Sequence, residues 1–310
     1  MRDIDSVNQK VYLMLNKFSP SEASVSVFEF TKLHPKFVLR YSLIYGVFQV
    51  VSVLLLAATG YFGIIRKMAA MGSATPSEQD ILSVFSSLNW VVVAITFIVS
   101  IAFGTMVMAM ALRKTVNNQE IGFYGLTWGK DENNLLFAMF IVAIIYIGSF
   151  FAAGLLGGIL AAAGIAVEYA TPVVMAIVTV AMIWFVVAVS QYGVISIANG
   201  RFKLKEVMSE TKPQFWSYMG AYVLAFILAM IASLIIQGSL GAIFGMSTFN
   251  PENAKNLFPE SFVAALRPNY ILYYFCMGTF SGFINLAFVC VGSYAYHKKR
   301  EGMQLDTNEV

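Results

Sequence analysis

Between Leu135 and Ala198 the chain reads LLFAMFIVAIIYIGSFFAAGLLGGILAAAGIAVEYATPVVMAIVTVAMIWFVVAVSQYGVISIA, and Glu168 is its only charged residue. A membrane-spanning helix needs about 20 apolar residues, so this stretch has room for two spans and a turn. The turn is expected at Glu168-Tyr169-Ala170-Thr171-Pro172. Proline suits the first turn of a helix, so Thr171 reads as the cap and Pro172 as the first residue of the returning helix. The product is a transmembrane helical hairpin, and more hairpins flank it. Its first arm, Leu135 to Val167, would be about 50 Å long as one helix, against about 30 Å of hydrocarbon. That arm must either protrude with a bend or break near Gly157-Gly158 or Gly164. Protrusion is the expectation, because no polar group there calls for exposure.

Of the 310 residues, 58% are hydrophobic and 12% charged, whereas soluble domains run nearer a quarter charged. The deficit points to lipid as the solvent. Further apolar segments at Tyr41–Ile65, Trp90–Leu112, Phe215–Gly245 and Tyr270–Tyr296 bring the spans to six. The expected fold is an all-α integral membrane protein: a six-transmembrane-helix bundle of three helical hairpins, with short cytoplasmic amphipathic helices. Residues 1–40 form the amphipathic part, 41–297 the transmembrane domain and 298–310 a cytoplasmic tail. Ile4, Val7, Val11, Met14 and Phe18 share one helical face, as at a membrane surface. Ser19-Pro20-Ser21-Glu22 has the form of a capping box and should open a second short helix through Leu33. Thr75-Pro76-Ser77-Glu78 is another, and Asn250-Pro251-Glu252 and Pro259-Glu260 are helix-start signals in the last large loop. The first 35 residues contain no apolar core of a cleaved leader, so insertion is expected to rely on the first span.

Orientation follows from where the basic residues sit. Sixteen of the 20 Lys and Arg fall in the N-terminal segment, the 113–134 and 201–213 loops and the tail; only Arg66, Lys67, Lys255 and Arg267 fall on the other face. By the positive-inside bias both termini are expected to be cytoplasmic. The net charge of +3 is too small to argue for nucleic acid.

Three small-xxx-small motifs, Gly154/Gly158, Gly241/Gly245 and Gly278/Gly282, would let helices approach closely. Packing inside the bundle is the first reading, and a face for a homo-oligomer or a membrane-protein partner the second. Neutral polar residues inside spans include Gln49, Gln191, Gln237 and Asn285. Interhelical hydrogen bonding is their default role, and a polar pathway the sharper one. No ionisable side chain lies in the expected mid-membrane portions, which argues against proton-coupled transport and intramembrane acid–base catalysis. The basic set Lys36, Arg40, Arg113, Lys114, Arg201, Lys203, Lys205, Lys298, Lys299 and Arg300 is placed to meet anionic lipid headgroups, though topology alone predicts it too. Asp131-Glu132 read as charges at a helix N-terminus. The aromatic segment Gly122–Trp128 reads as interfacial.

No metal or cofactor site is expected. Met106, Met108 and Met110 are soft donors, but gap-filling is the better reading of methionine in such a helix. Cys276 and Cys290 are about 21 Å apart along one helix and cannot bridge each other. No phosphate loop, nucleophile triad or zinc spacing occurs, so a non-enzymatic role is expected.

A faint repeat places Lys32–Phe37, Trp128–Glu132 and Glu210–Phe215 each before a span and after a short mixed segment. It outlines three units of surface helix plus hairpin. Tyr124-Gly125-Leu126-Thr127-Trp128-Gly129-Lys130-Asp131-Glu132 and Ala198-Asn199-Gly200-Arg201-Phe202 carry most of a wider likeness. In this the chain resembles YciC-type bacterial inner-membrane proteins and the membrane domain attached to some glycerophosphodiester phosphodiesterases. The resemblance implies a six-helix fold and an inner-membrane location; no phosphodiesterase domain accompanies it here. The expected function is a non-catalytic protein that organises, assembles or regulates membrane partners or lipids. The alternative is a transporter or channel for a neutral or lipid-like solute.

Overall fold

The structure, a computed structural model, describes residues 18–64, 86, 88–164, 167–246 and 257–307. The amphipathic face at 4–17, the 75–78 capping box and the 250–252 start signal lie outside the described residues. The helices are α1 (Pro20–Leu33), α2 (Pro35–Thr59), α3 (Trp90–Asn117), α4 (Lys130–Ala162), α5 (Val167–Val189), α6 (Tyr192–Asn199), α7 (Leu204–Thr211), α8 (Phe215–Phe244), α9 (Phe262–Ala265) and α10 (Pro268–Thr307). Six spans are long and apolar enough to cross a membrane, and much of their apolar surface faces outward. A water-soluble monomer rarely exposes apolar patches on that scale, so the fold is an all-α six-helix membrane bundle.

Local chemistry explains most boundaries. Ser19 Oγ accepts the Glu22 N–H at 3.4 Å, opening α1 as the capping box anticipates. α2 ends where Gly60 takes φ 82°, short of Ile65. α8 ends in a Schellman turn: Gly245 takes φ 68° and the Met246 N–H reaches back to the Gly241 carbonyl at 2.9 Å. Met246 then buries itself in a cluster with Leu257, Tyr270 and Tyr273, against which Leu240 packs. Ser261, rather than Pro259-Glu260, caps α9, accepting the Ala264 N–H at 3.2 Å.

In the central hairpin the first arm protrudes without breaking, as expected, while the second arm departs from the expectation. α4 starts at Lys130 and runs unbroken through Gly157-Gly158, ending at Ala162 with Gly164 at φ 85°. The returning helix starts at Val167, so Pro172 lies inside it instead of beginning it. There the proline loses only the bond to residue 168, a loss spanning helices tolerate. The second arm, unlike the first, is not continuous: it breaks at Ser190-Gln191 between α5 and α6. α10 continues as one helix from Pro268 to Thr307, past the end of the last apolar span.

The chain divides into two compact units. One comprises residues 1–26, 105–224 and 289–310; the other comprises 27–104 and 225–288. In the second, α2 and α10 touch along small residues. A Cβ on Gly278 would fall 2.4 Å from Gln49 Cβ, and one on Gly282 2.8 Å from Tyr45 Cβ, so neither position can carry a side chain without moving α2. Gly46 reciprocates against Thr279 and Phe275. Higher on the same contact, Tyr41 donates to Asn285 Oδ1 at 2.7 Å. Gly278→Ala is therefore expected to lower stability by about 1–3 kcal/mol through overpacking. Gly148→Ala, on an open face of α4, should gain up to about 1 kcal/mol from helix propensity. Thermal melts of the two variants in one detergent check the opposite signs.

Candidate functional site

Three features of the structure carry polar or recognition chemistry, and each is built from a different kind of sequence signal. The first is a buried ion pair. Arg113, at the end of α3, donates from Nη1 to Glu132 Oε1 at 2.5 Å, and Asp131 Oδ2 lies 3.6 Å away. Arg113 is 2% exposed and Glu132 1%. The other Glu132 oxygen accepts the Gly129 N–H at 2.9 Å, which caps the start of α4, and Arg113 Nη2 donates to the Gly125 carbonyl at 3.3 Å. One carboxylate and one guanidinium thus tie together the end of α3, the 118–129 loop and the first turn of α4. This corrects the assignment of Arg113 to lipid headgroups: its charge is spent inside the protein, beyond the reach of a phosphate.

The rest of the basic set divides by partner. Lys114 is largely covered and pairs with Glu120 at 3.1 Å, so it too is withdrawn from the lipid set. Lys299 pairs with Glu210. Arg201 and Lys203 both face Glu206, at 3.3 and 2.9 Å, and Lys298 faces Glu301 at 2.9 Å, yet all three remain exposed. Arg300 lies over the Tyr296 ring at 4.7 Å, Arg40 over Phe37 at 5.7 Å, and Lys36 and Lys205 are exposed. Asn199, Arg201, Glu206, Ser209 and Glu210 line an open polar groove of about 420 Å³.

The second feature is the helix break at Ser190-Gln191. The Ser190 N–H bonds only three residues back, to Val187, and the Thr211 hydroxyl on α7 donates to the Ala188 carbonyl at 2.6 Å. Tyr192 then turns its hydroxyl to Met108 Sδ at 3.5 Å, and Gly193 lets α6 press against Leu112. Gln191 is 1% exposed, and neither its amide nitrogen nor its oxygen has a hydrogen-bond partner among the described residues. Glycine at 292 makes room for it: a Cβ there would sit 3.1 Å from Gln191 Nε2 and 3.2 Å from the Tyr222 hydroxyl. Of the four pathway residues, Gln191 belongs to the first unit and Gln49, Gln237 and Asn285 to the second. Asn285 is engaged by Tyr41, Gln49 lies against Gly278, and Gln237 is half-buried on α8. The two grooves described in this subsection include none of the four in their lining.

The third feature is the outer face of α4. A Cβ added at Gly154, Gly157 or Gly158 would meet nothing within 4 Å among the described residues. Ile147, Phe150, Phe151, Gly154 and Leu155 line an apolar groove of about 430 Å³ there. The Gly154/Gly158 motif is therefore not internal packing, in contrast to Gly278/Gly282. Gly245 is likewise not a packing glycine: it turns the chain after α8, and buried Gly241 supplies the carbonyl for that turn.

Among the described residues no group of three His, Cys, Asp or Glu is placed to hold a metal ion. The fold and these features define a multi-pass helical membrane protein. No protein-family model matches the chain, and neither does a curated protein or a solved structure.

The pairing at Arg113 has a measurable consequence. Arg113→Met or Glu132→Leu alone should cost about 3–5 kcal/mol, because each strands a buried charge. The double variant should recover most of that loss. Melting temperatures of the three proteins in detergent test this, and equal singles and double would contradict it.

Proposed function

We propose that the chain is a non-catalytic polytopic protein of a bacterial inner membrane, with both termini cytoplasmic, that organises, assembles or regulates membrane partners or lipids. The observation that carries this reading is the open small-residue face of α4. In hydrocarbon, helices gain nothing from burying apolar surface against one another, so association depends on close contact at small residues. Gly154, Gly157 and Gly158 offer such contact to something outside the chain, and bulky Phe150, Phe151 and Leu155 bound the notch. The exposed cations Lys36, Arg201, Lys203, Lys298 and Arg300 favour anionic headgroups. Orientation rests on the distribution of Lys and Arg, and the bacterial location on the resemblance to YciC-type proteins.

Extraction of the tagged protein in mild detergent, followed by mass spectrometry, is expected to recover a co-purifying membrane protein, a second copy or tightly held phospholipid. Gly154→Leu/Gly158→Leu should abolish that association without lowering the melting temperature, since both positions lie on the open face. A lipid-free monomer from both proteins would sink the proposal.

The break at Ser190-Gln191 favours a second reading, a transporter or channel for a neutral or lipid-like solute. Discontinuous spanning helices with free polar groups are how many transporters build midplane sites. On this reading proteoliposomes swell faster in a neutral solute such as glycerol than empty liposomes, and Gln191→Leu abolishes the difference. Swelling equal to that of empty liposomes would remove it.

A further inference from the structure

The 118–129 loop is built with more constraint than a connection of its length needs. Leu126 N–H closes on the Phe123 carbonyl at 2.9 Å, with Tyr124 at φ 54° and Gly125 at φ 89°. Two successive positive φ values make the twist of a type I′ turn, and a tyrosine there is uncommon. Gly122, at φ 85°, has no room for a side chain, since a Cβ would fall 2.4 Å from the Leu126 carbonyl oxygen. The Met110 side chain supports Gly125 from below, and Arg113 holds its carbonyl. Glu132 fixes Gly129, and the Trp128 indole donates to Asn133 Oδ1 at 3.1 Å.

What this frame presents outward is apolar. Phe123 is 79% exposed and Tyr124 59%, their rings meeting edge to face at 4.5 Å, and Ile121 and Trp128 are exposed beside them. From Ile121 to Gly129 there is no charged residue; Glu120 and Lys130 bracket the segment. The loop leaves α3 at Asn117 and enters α4 at Lys130, so both ends are the ends of spanning helices.

We propose that residues 121–128 are a rigid aromatic anchor that inserts into the headgroup layer of the membrane that α3 and α4 cross, and that the Arg113–Glu132 pair holds it in the inserting pose. A loop fixed at the ends of two spans lies at the depth of the interface, where Trp and Tyr rings partition favourably. A polar peptide or soluble partner would find no charge or free indole N–H to bond, whereas the lipid boundary needs neither. The anchor depends on the membrane-spanning architecture alone and is independent of the α4 face, so either can fail without the other.

The test uses the full chain with Trp90, Trp184 and Trp216 changed to Phe, leaving Trp128 as the only tryptophan. It is reconstituted in phosphatidylcholine–phosphatidylglycerol vesicles containing lipids brominated near the carbonyl end or near the methyl end of the acyl chain. The expected result is blue-shifted emission, stronger quenching by the shallow bromine than by the deep one, and protection from iodide. Glu132→Gln should lose the shallow quenching and gain iodide quenching. Should that variant fail to fold, Phe123→Asp/Tyr124→Asp, at exposed positions, should produce the same shift with the bundle intact. Iodide quenching with no bromolipid effect in the parent protein would overturn the proposal. So would lipid quenching unchanged by Phe123→Asp/Tyr124→Asp.

Discussion

Hydrocarbon offers a peptide group nothing to bond with, and the whole structure answers to that constraint. Long uninterrupted helices are one answer. The more informative places are those where the helical ladder stops, because each must find a substitute. Gly245 sends the Met246 N–H back to a helix carbonyl, and the Ser190-Gln191 break borrows the Thr211 hydroxyl for Ala188. The 118–129 loop, at a span end, borrows a guanidinium. Where no substitute is found, as at the Gln191 side chain, the residue is the one to watch.

The buried pair of Arg113 and Glu132 shows the same constraint acting on charge. Neither ion would be tolerated alone at such burial, and together they gain only if their remaining valences are filled. Here backbone fills two of them, with Gly125 offering its carbonyl to the arginine and Gly129 its N–H to the glutamate, while Arg113 Nε has no partner among the described residues. The pair therefore works less as a source of stability than as a clamp that joins two spans and gives the loop between them one shape.

Glycine sorts the helix faces. Gly46, Gly278 and Gly282 are needed because backbone meets backbone between α2 and α10. Gly154 and Gly158 repeat the Gly278/Gly282 spacing, yet among the described residues they face open space. Identical motifs thus mark opposite roles, and only the presence or absence of a partner helix tells them apart.

The hydrophobic runs, their lengths and the capping residues were enough to determine an all-α membrane protein with six crossings, because those properties are local and the lipid solvent admits few alternatives. Ser19 and Glu22 announced where α1 begins, and Glu132 announced itself as an N-terminal charge, whereas α2 starts at Pro35, ahead of the expected Tyr41. What the sequence could not contain was distance. That Arg113 turns inward to Glu132, that Thr211 repairs a break no residue pattern flagged, and that Gly154 meets no neighbour among the described residues while Gly278 meets several are facts about which helices meet. Those meetings are set by side-chain fit across segments far apart in the chain, so tertiary structure alone decided them.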